Sequence, residues 1–460
     1  MPFALLLALA AVAGATALTY VYDRDALIWS RLCAGVCLGF AALGLVGFVL
    51  ASALGMTAWA LALAGVVCAS PLVLLSRRGL RGRVGADVRE GGRVLSRALR
   101  GRGETGALLF YAAAGPVFWF VFAHAMYRTP AGIFTGVDTN IGDLPFHLSV
   151  VTGFAYGENF PPQHTEFAGV RLTYPFVVDF VAAMFVRAGA SLEGALFWQS
   201  YTMIMALVGL LHRWALKQTR SGPAALIVPA LVLLSGGFGW VGFLREAASS
   251  GRGVFETLGS LPHDYTRAYS GFEWGNAVTA LFVTQRSILL GVAVALVVWT
   301  LWWQASERSV GSGQVAVGGG GEGAAAERES RRVGKKKRRG KAGRGAPAKG
   351  AAKDEGAAAD NSFAFILQPF ALRQMIAAGV VAGLLPLVHA HSFVVMMLMG
   401  ACMALAQGAA VFFSKVEESD QVPPWRKVWA VWRPWLLFAV VASALALPQM
   451  FFATRDSAVR

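Results

Sequence analysis

Long runs without charge constrain this chain more than any motif does. No charged residue stands between Arg31 and Arg77, and the pattern repeats along the chain: charges gather in short segments, and apolar runs separate them. Runs of about 20 apolar residues match the roughly 30 Å of hydrocarbon that a helix crosses at 1.5 Å per residue. A membrane barrel would instead show ten-residue strands of alternating polarity. With 56% hydrophobic and only 15% charged residues in 460, the chain reads as all-α, a polytopic transmembrane helical bundle. Apolar runs fall near residues 1 to 20, 32 to 52, 55 to 76, 106 to 126, 195 to 213, 223 to 244, 279 to 303, 369 to 388, 392 to 413 and 434 to 452. That predicts about 10 spans.

The net charge of +15 matters by its location. Nearly all the excess lies from Arg77 to Arg102 and from Arg308 to Lys353, each between apolar runs, and basic loops of this kind are retained in the cytoplasm. The run Lys335 to Arg339 could touch anionic lipid or RNA, but topology is the plain reading and no nucleic-acid partner is expected. Cys33, Cys37, Cys68 and Cys402 all stand in apolar stretches, so no disulfide framework is implied. The opening run Met1 to Tyr20 lacks the basic start of a secretory signal and reads as a retained helix.

These features divide the chain into an N-terminal three-helix membrane segment (1–76), a basic cytoplasmic loop (77–105), a membrane core (106–305) with a large outer loop (127–194), a basic linker read as disordered (306–362) and C-terminal membrane helices (363–460). The helix at 106–126 then runs outward and delivers 127–194 to the non-cytoplasmic side. The segment from His212 to Arg220 should be cytoplasmic by its charge. Sidedness closes only if the stretch 174–190, which carries Asp179 and Arg187, lies along the membrane surface as an interfacial helix.

The outer loop holds the most chemistry. Asp143 and His147 are four residues apart in a segment able to form a helix, so both can face one ligand, and Pro145 suits the first turn. A carboxylate there can act as general base, and a neighbouring His can orient it, bind a phosphate or hold a metal. The plainer reading makes Asp143 a helix N-terminal charge and His147 a packing residue. His263, Asp264, Arg267 and Glu273 follow in a second outer loop, and His389 and His391 stand at an outer helix end. Arg286 is the sharpest single residue, because an ionisable group inside a span needs a partner or a cavity; its plainer role is snorkelling. No phosphate-binding Gly-rich loop, G-x-S-x-G or HExxH occurs, so nucleotide hydrolysis and the common hydrolase chemistries have no support.

An outward helix, a long outer loop with Asp138 and Asp143, and a following helix opened by Tyr174 and Pro175 together resemble the GT-C superfamily of membrane glycosyltransferases, over roughly residues 106 to 460. The resemblance implies sugar transfer, hexosyl or pentosyl, from a polyprenyl- or dolichyl-phosphate-sugar donor on the non-cytoplasmic face. It also implies a catalytic base at Asp143, with Asp138 the competing choice, and donor-phosphate binding by Arg286 with His147 or His263. Membrane lipids are the other expected partners. No motif demands a cofactor, and a divalent metal stays open. Two other classes are carried beside it: a secondary transporter of a small solute, suggested by Arg286, Arg373 and the outer histidines, and a non-catalytic membrane assembly subunit. Plasma membrane and endoplasmic reticulum are not distinguished by sequence.

Overall fold

The computed structural model describes residues 1–23, 25–167, 169–235, 238–263, 265, 276–317, 372–413 and 423–455, the side chains of 306–317 and 424 excepted. In chain order the helices are α1 (Pro2–Tyr22), α2 (Ile28–Leu54), α3 (Ala58–Ala69) with a 3-10 extension (Ser70–Ser76), α4 (Arg78–Leu99), α5 (Thr105–Ala125), α6 (Asp143–Gly157), α7 (Val177–Arg187), α8 (Leu192–Thr219), α9 (Gly222–Leu233), α10 (Gly239–Ser249), α11 (Val254–Gly259), α12 (Arg286–Val317), α13 (Leu372–Ala382), α14 (Pro386–Phe412) and α15 (Pro424–Thr454). Between α5 and α6 lie an antiparallel hairpin, β1 (Tyr127–Thr129) and β2 (Gly132–Phe134), and a 3-10 turn (Asp138–Asn140). A π turn (Val278–Phe282) precedes α12.

The fold is all-α and the protein is an integral multi-pass membrane protein. Among the described residues, 8 helices are long and apolar enough to cross a membrane: α1, α2, α3 with its extension, α5, α8, α12 over Arg286–Ala305, α14 and α15. Two runs expected to span, 223–244 and 369–388, contain helices of only 12 and 11 residues. At 1.5 Å per residue these reach roughly 17 Å, well short of the hydrocarbon thickness. The second is cut short where Gly383 follows Ala382 and Pro386 opens α14, because proline favours a helix's first turn. Helix α12 continues to Val317, into the stretch read as linker; the rest of that stretch, with the Lys335 to Arg339 run, lies outside the described residues.

The stretch expected to lie along the membrane surface differs most. Helix α7 has 11 residues and does not have the length to span, but it offers no face to lipid either: every residue from Val177 to Val186 is buried. Glycines on α2 explain how it fits. A Cβ at Gly44 would come within 2.5 Å of Val177, and one at Gly47 within 2.5 Å of Met184. Small residues let helix backbones approach where no hydrophobic force drives helices together. The same device seats α1 on α2 and α3, since a Cβ at Gly39 would meet the Ala11 carbonyl at 2.7 Å and one at Gly14 would overlap the Cys68 carbonyl. Asp179 and Arg187 take separate partners, and the Arg187 Nε donates to the Met56 carbonyl at 2.9 Å.

The chain divides into two compact units. The first takes Met1–Leu301, Ala377–Leu398 and Ala439–Arg460, and the second Trp302–Ile376 and Met399–Phe438. In the second, Trp302, Trp435 and Phe438 form an edge-to-face aromatic core, and the buried Trp435 Nε1 donates to Gln407 at 2.9 Å. Everything that follows concerns the first unit.

Candidate functional site

Three ionisable side chains from three separate elements meet in the interior. Asp179 of α7 accepts a hydrogen bond from His147 Nδ1 of α6 at 2.7 Å and another from the Arg286 guanidinium, at the start of α12, at 2.5 Å. All three are at most 5% exposed. Isolated charges would not tolerate that environment, but an ion pair with its remaining valences hydrogen-bonded does. Burial alone would push the Asp179 carboxyl up. The His147 ring and the Arg286 guanidinium outweigh it and hold the group below its ordinary value, so it is ionised. An ionised carboxylate only accepts, which fixes the proton of His147 on Nδ1 and leaves Nε2 as the nitrogen available to a ligand.

The sequence places each member for a local reason. Asp143 opens α6, where its charge favours the helix N-terminus, and Pro145 lies in the first turn. One turn on, His147 stands on the buried face with Leu144, Val150 and Val151. Tyr174 packs its ring against Phe146 and His147, and its hydroxyl lies 3.3 Å from Ser287 Oγ, next to Arg286. The 3-10 turn is fastened to both neighbouring helical segments. Asn140 Nδ2 donates to the Ala125 carbonyl at the end of α5, and Thr139 Oγ1 donates to the Thr279 carbonyl in the π turn before α12.

Beside the triad is a small cavity lined in part by Phe122, Asn140, His147, Glu193, Ser200 and Arg286. Its volume of about 30 Å³ admits roughly two waters, since one needs roughly 10–15 Å³. Two buried polar atoms of the lining residues have no hydrogen-bond partner among the described residues, the Arg286 NH1 and the Asn140 Oδ1. Buried polar atoms are almost always satisfied. An unpartnered guanidinium nitrogen beside a cavity therefore marks a place for an anionic or polar ligand atom. Asp143 is half-buried, and its carboxylate makes no hydrogen bond or ion pair among the described residues.

The structure thus brings together His147 and Arg286, with Asp143 one helical turn from His147. Asp138 is exposed in the 3-10 turn. His263 is elsewhere: its ring is exposed, with Nε2 3.5 Å from Glu246 and Tyr265 alongside, and it takes no part in the triad. Asp264, Arg267 and Glu273 lie outside the described residues. His389 interrupts the helical backbone of α14, with Nδ1 2.8 Å from Ser392 Oγ and its ring 5.5 Å from that of His391. It packs on α12 at Gly291, where a Cβ would stand 2.5 Å from the His389 Cβ. No group of three or more His, Cys, Asp or Glu with metal-binding geometry occurs among the described residues.

Asp179 was absent from the residues proposed from sequence. Its signal was present, because a lone acid inside VVDFVAAMFVR is as costly as a lone arginine inside a span. Asn140, Glu193 and Ser200 had no sequence signal, since their role comes only from lining the cavity. Comparison of the chain with protein-family models, with curated proteins and with solved structures finds no match.

Proposed function

We propose that this membrane protein is a glycosyltransferase of GT-C type that moves a sugar from a polyprenyl-phosphate donor to an acceptor on the non-cytoplasmic face. The observation that carries the reading is a guanidinium nitrogen without a partner among the described residues, Arg286 NH1, on a residue that lines a cavity with His147, together with the carboxylate of Asp143 one turn before His147 on α6. Sugar transfer from a lipid phosphate needs both. As the acceptor oxygen bonds to the anomeric carbon, its proton passes to Asp143, and the bond from that carbon to the phosphate oxygen breaks. The leaving phosphate gains charge that Arg286 stabilises. His147 presents Nε2 to the same ligand, and Asp179 is a positioning residue that holds both His147 and Arg286.

The cavity is too small for a whole sugar phosphate, so donor binding opens it or uses it only for phosphate oxygens. Asp138, exposed at the preceding turn, is the second acid of the loop and the alternative base. The test is transfer of label from polyprenyl-phosphate-linked hexoses and pentoses by the purified chain in proteoliposomes. Asp143→Asn is expected to lower transfer by roughly 100- to 10,000-fold. Full transfer by both Asp143→Asn and Asp138→Asn would sink the mechanism.

A further inference from the structure

Helix α4 presents three different faces. One is locked to the protein. Asp87 accepts from Arg31 Nε at 2.9 Å and from the Tyr20 hydroxyl at 2.8 Å, Trp29 Nε1 donates to the Gly91 carbonyl, and Leu80, Gly91 and Ala98 are buried. These contacts fix the rotation of the helix about its axis. That rotation leaves an apolar stripe uncovered: Val88, Leu95 and Leu99, at i, i+7 and i+11, are 52%, 38% and 67% exposed.

The arginines sort themselves around this stripe. At 100° per residue, Arg81, Arg78 and Arg89 lie within roughly 100° of its centre, and Arg93 and Arg97 lie beyond them. The two far arginines are engaged: Arg93 is 3.2 Å from Glu90, and Arg97 is 3.6 Å from Glu90 and 3.9 Å from Glu104. The three near ones are exposed, and their side chains make no hydrogen bond or ion pair among the described residues. Unpaired cations therefore border uncovered apolar surface. The helix begins two residues after one candidate span, Ala58–Ser76, and ends six before the next, Thr105–Ala125, so both its ends stand at the edge of the hydrocarbon.

We propose that α4 lies in the plane of the membrane surface and binds anionic lipid, with Val88, Leu95 and Leu99 in the acyl boundary and Arg78, Arg81 and Arg89 on headgroup phosphates. Interfacial helices have this division of faces, and arginine reaches a phosphate while its stem stays in apolar surroundings. A nucleic acid would use the arginines but not the stripe.

The test uses the full chain in nanodiscs of phosphatidylcholine with or without phosphatidylglycerol. In a Cys402→Ser background, a nitroxide at Val88→Cys is expected to be quenched by oxygen and shielded from a water-soluble nickel chelate, and one at Arg97→Cys the reverse. Equal nickel access at both positions overturns the proposal. Independently, Arg78→Gln, Arg81→Gln and Arg89→Gln should each weaken phosphatidylglycerol retention roughly fivefold, and Arg93→Gln should change it little. An unchanged retention in the triple variant, or the same loss from Arg93→Gln, also overturns it.

Discussion

Two charged clusters lie about 20 Å apart along α8, taking Ser200 and Arg213 as markers at 1.5 Å per residue, and they are finished differently. At the Arg213 end, both terminal guanidinium nitrogens donate to Asp23, the NH2 at 2.9 Å. Arg31 gives its Nε to Asp87 and its NH1 to the Asp23 carbonyl at 2.7 Å. At the Ser200 end, Arg286 is as deeply buried as Arg31, but its NH1 has no partner among the described residues. Both clusters join elements distant in sequence. The first is an ion-pair network joining the end of α1 to α2, α4 and α8 in which the arginines are partnered, although the neutral Tyr22 hydroxyl beside it is not; the second leaves a cationic donor of a cavity-lining residue without a partner among the described residues. Burial of charge by itself does not separate the two clusters, whereas a charged donor left unpartnered does.

The contrast breaks most sharply at Asp143. Asp143→Asn is expected to lower kcat for sugar transfer by roughly 100- to 10,000-fold, the usual worth of a general base, and to lower stability in detergent by only about 0.3–1 kcal/mol, the worth of a charge at a helix N-terminus, because the carboxylate makes no hydrogen bond or ion pair among the described residues. A matching fall in stability would show that Asp143 belongs with the structural cluster. Next in size, Arg286→Met leaves Asp179 buried with one partner gone and should cost about 3–5 kcal/mol. The double variant with Asp179→Leu should regain much of that stability without regaining transfer. If stability and transfer return together, the guanidinium has no role toward the donor.

Arg213→Ala should destabilise by about 3 kcal/mol and leave the KM for the donor unchanged in the folded fraction. A raised KM would make the two clusters one functional system. Gly44→Ala, which drives a Cβ to 2.5 Å from Val177, should cost about 1–3 kcal/mol by overpacking. Because α7 carries Asp179, it should also reduce kcat, whereas Gly39→Ala, seated against α1, should reduce stability alone.

The smallest effect is in acid. Asp179 titrates below its unfolded value, so its stabilisation is complete above the ordinary carboxylate range, near pH 4, and is lost only as pH falls through the lower folded value. The thermal midpoint of the wild type should therefore keep this contribution from pH 8 to about 5. Asp179→Leu should lack the acid-side drop that belongs to this group, and an identical acid limb in both would remove Asp179 from the pH response.

The expectation for α7 shows where reading along the chain stops working. An eleven-residue apolar helix with an acid near its start looks amphipathic when only its own residues are considered, and the membrane surface is the natural place for it. Its actual surroundings are set by Gly44 and Gly47 on α2, more than 120 residues earlier. No local pattern in 174–190 carries that information. Asp143, His147 and Arg286 were legible because each breaks a local rule: two polar residues at helical spacing in an outer loop, and a cation where a span begins. Asn140, Glu193 and Ser200 break none.

What the sequence by itself determined is the class of the protein and the places of the eight described helices long and apolar enough to span, though it also offered two runs whose helices are too short, because a hydrocarbon layer forces backbone groups to pair within each segment and so writes the fold into local composition. It also marked Arg286 as a residue needing a partner, a cavity or a path to the headgroups. Only the tertiary structure decided that the partner is Asp179, 107 residues away. It also decided that one nitrogen of the pair is left without a partner among the described residues, on a residue that lines a cavity. Ion pairing over such a separation depends on how three packed elements converge, and a side chain's unused valence exists only once all its neighbours are in place.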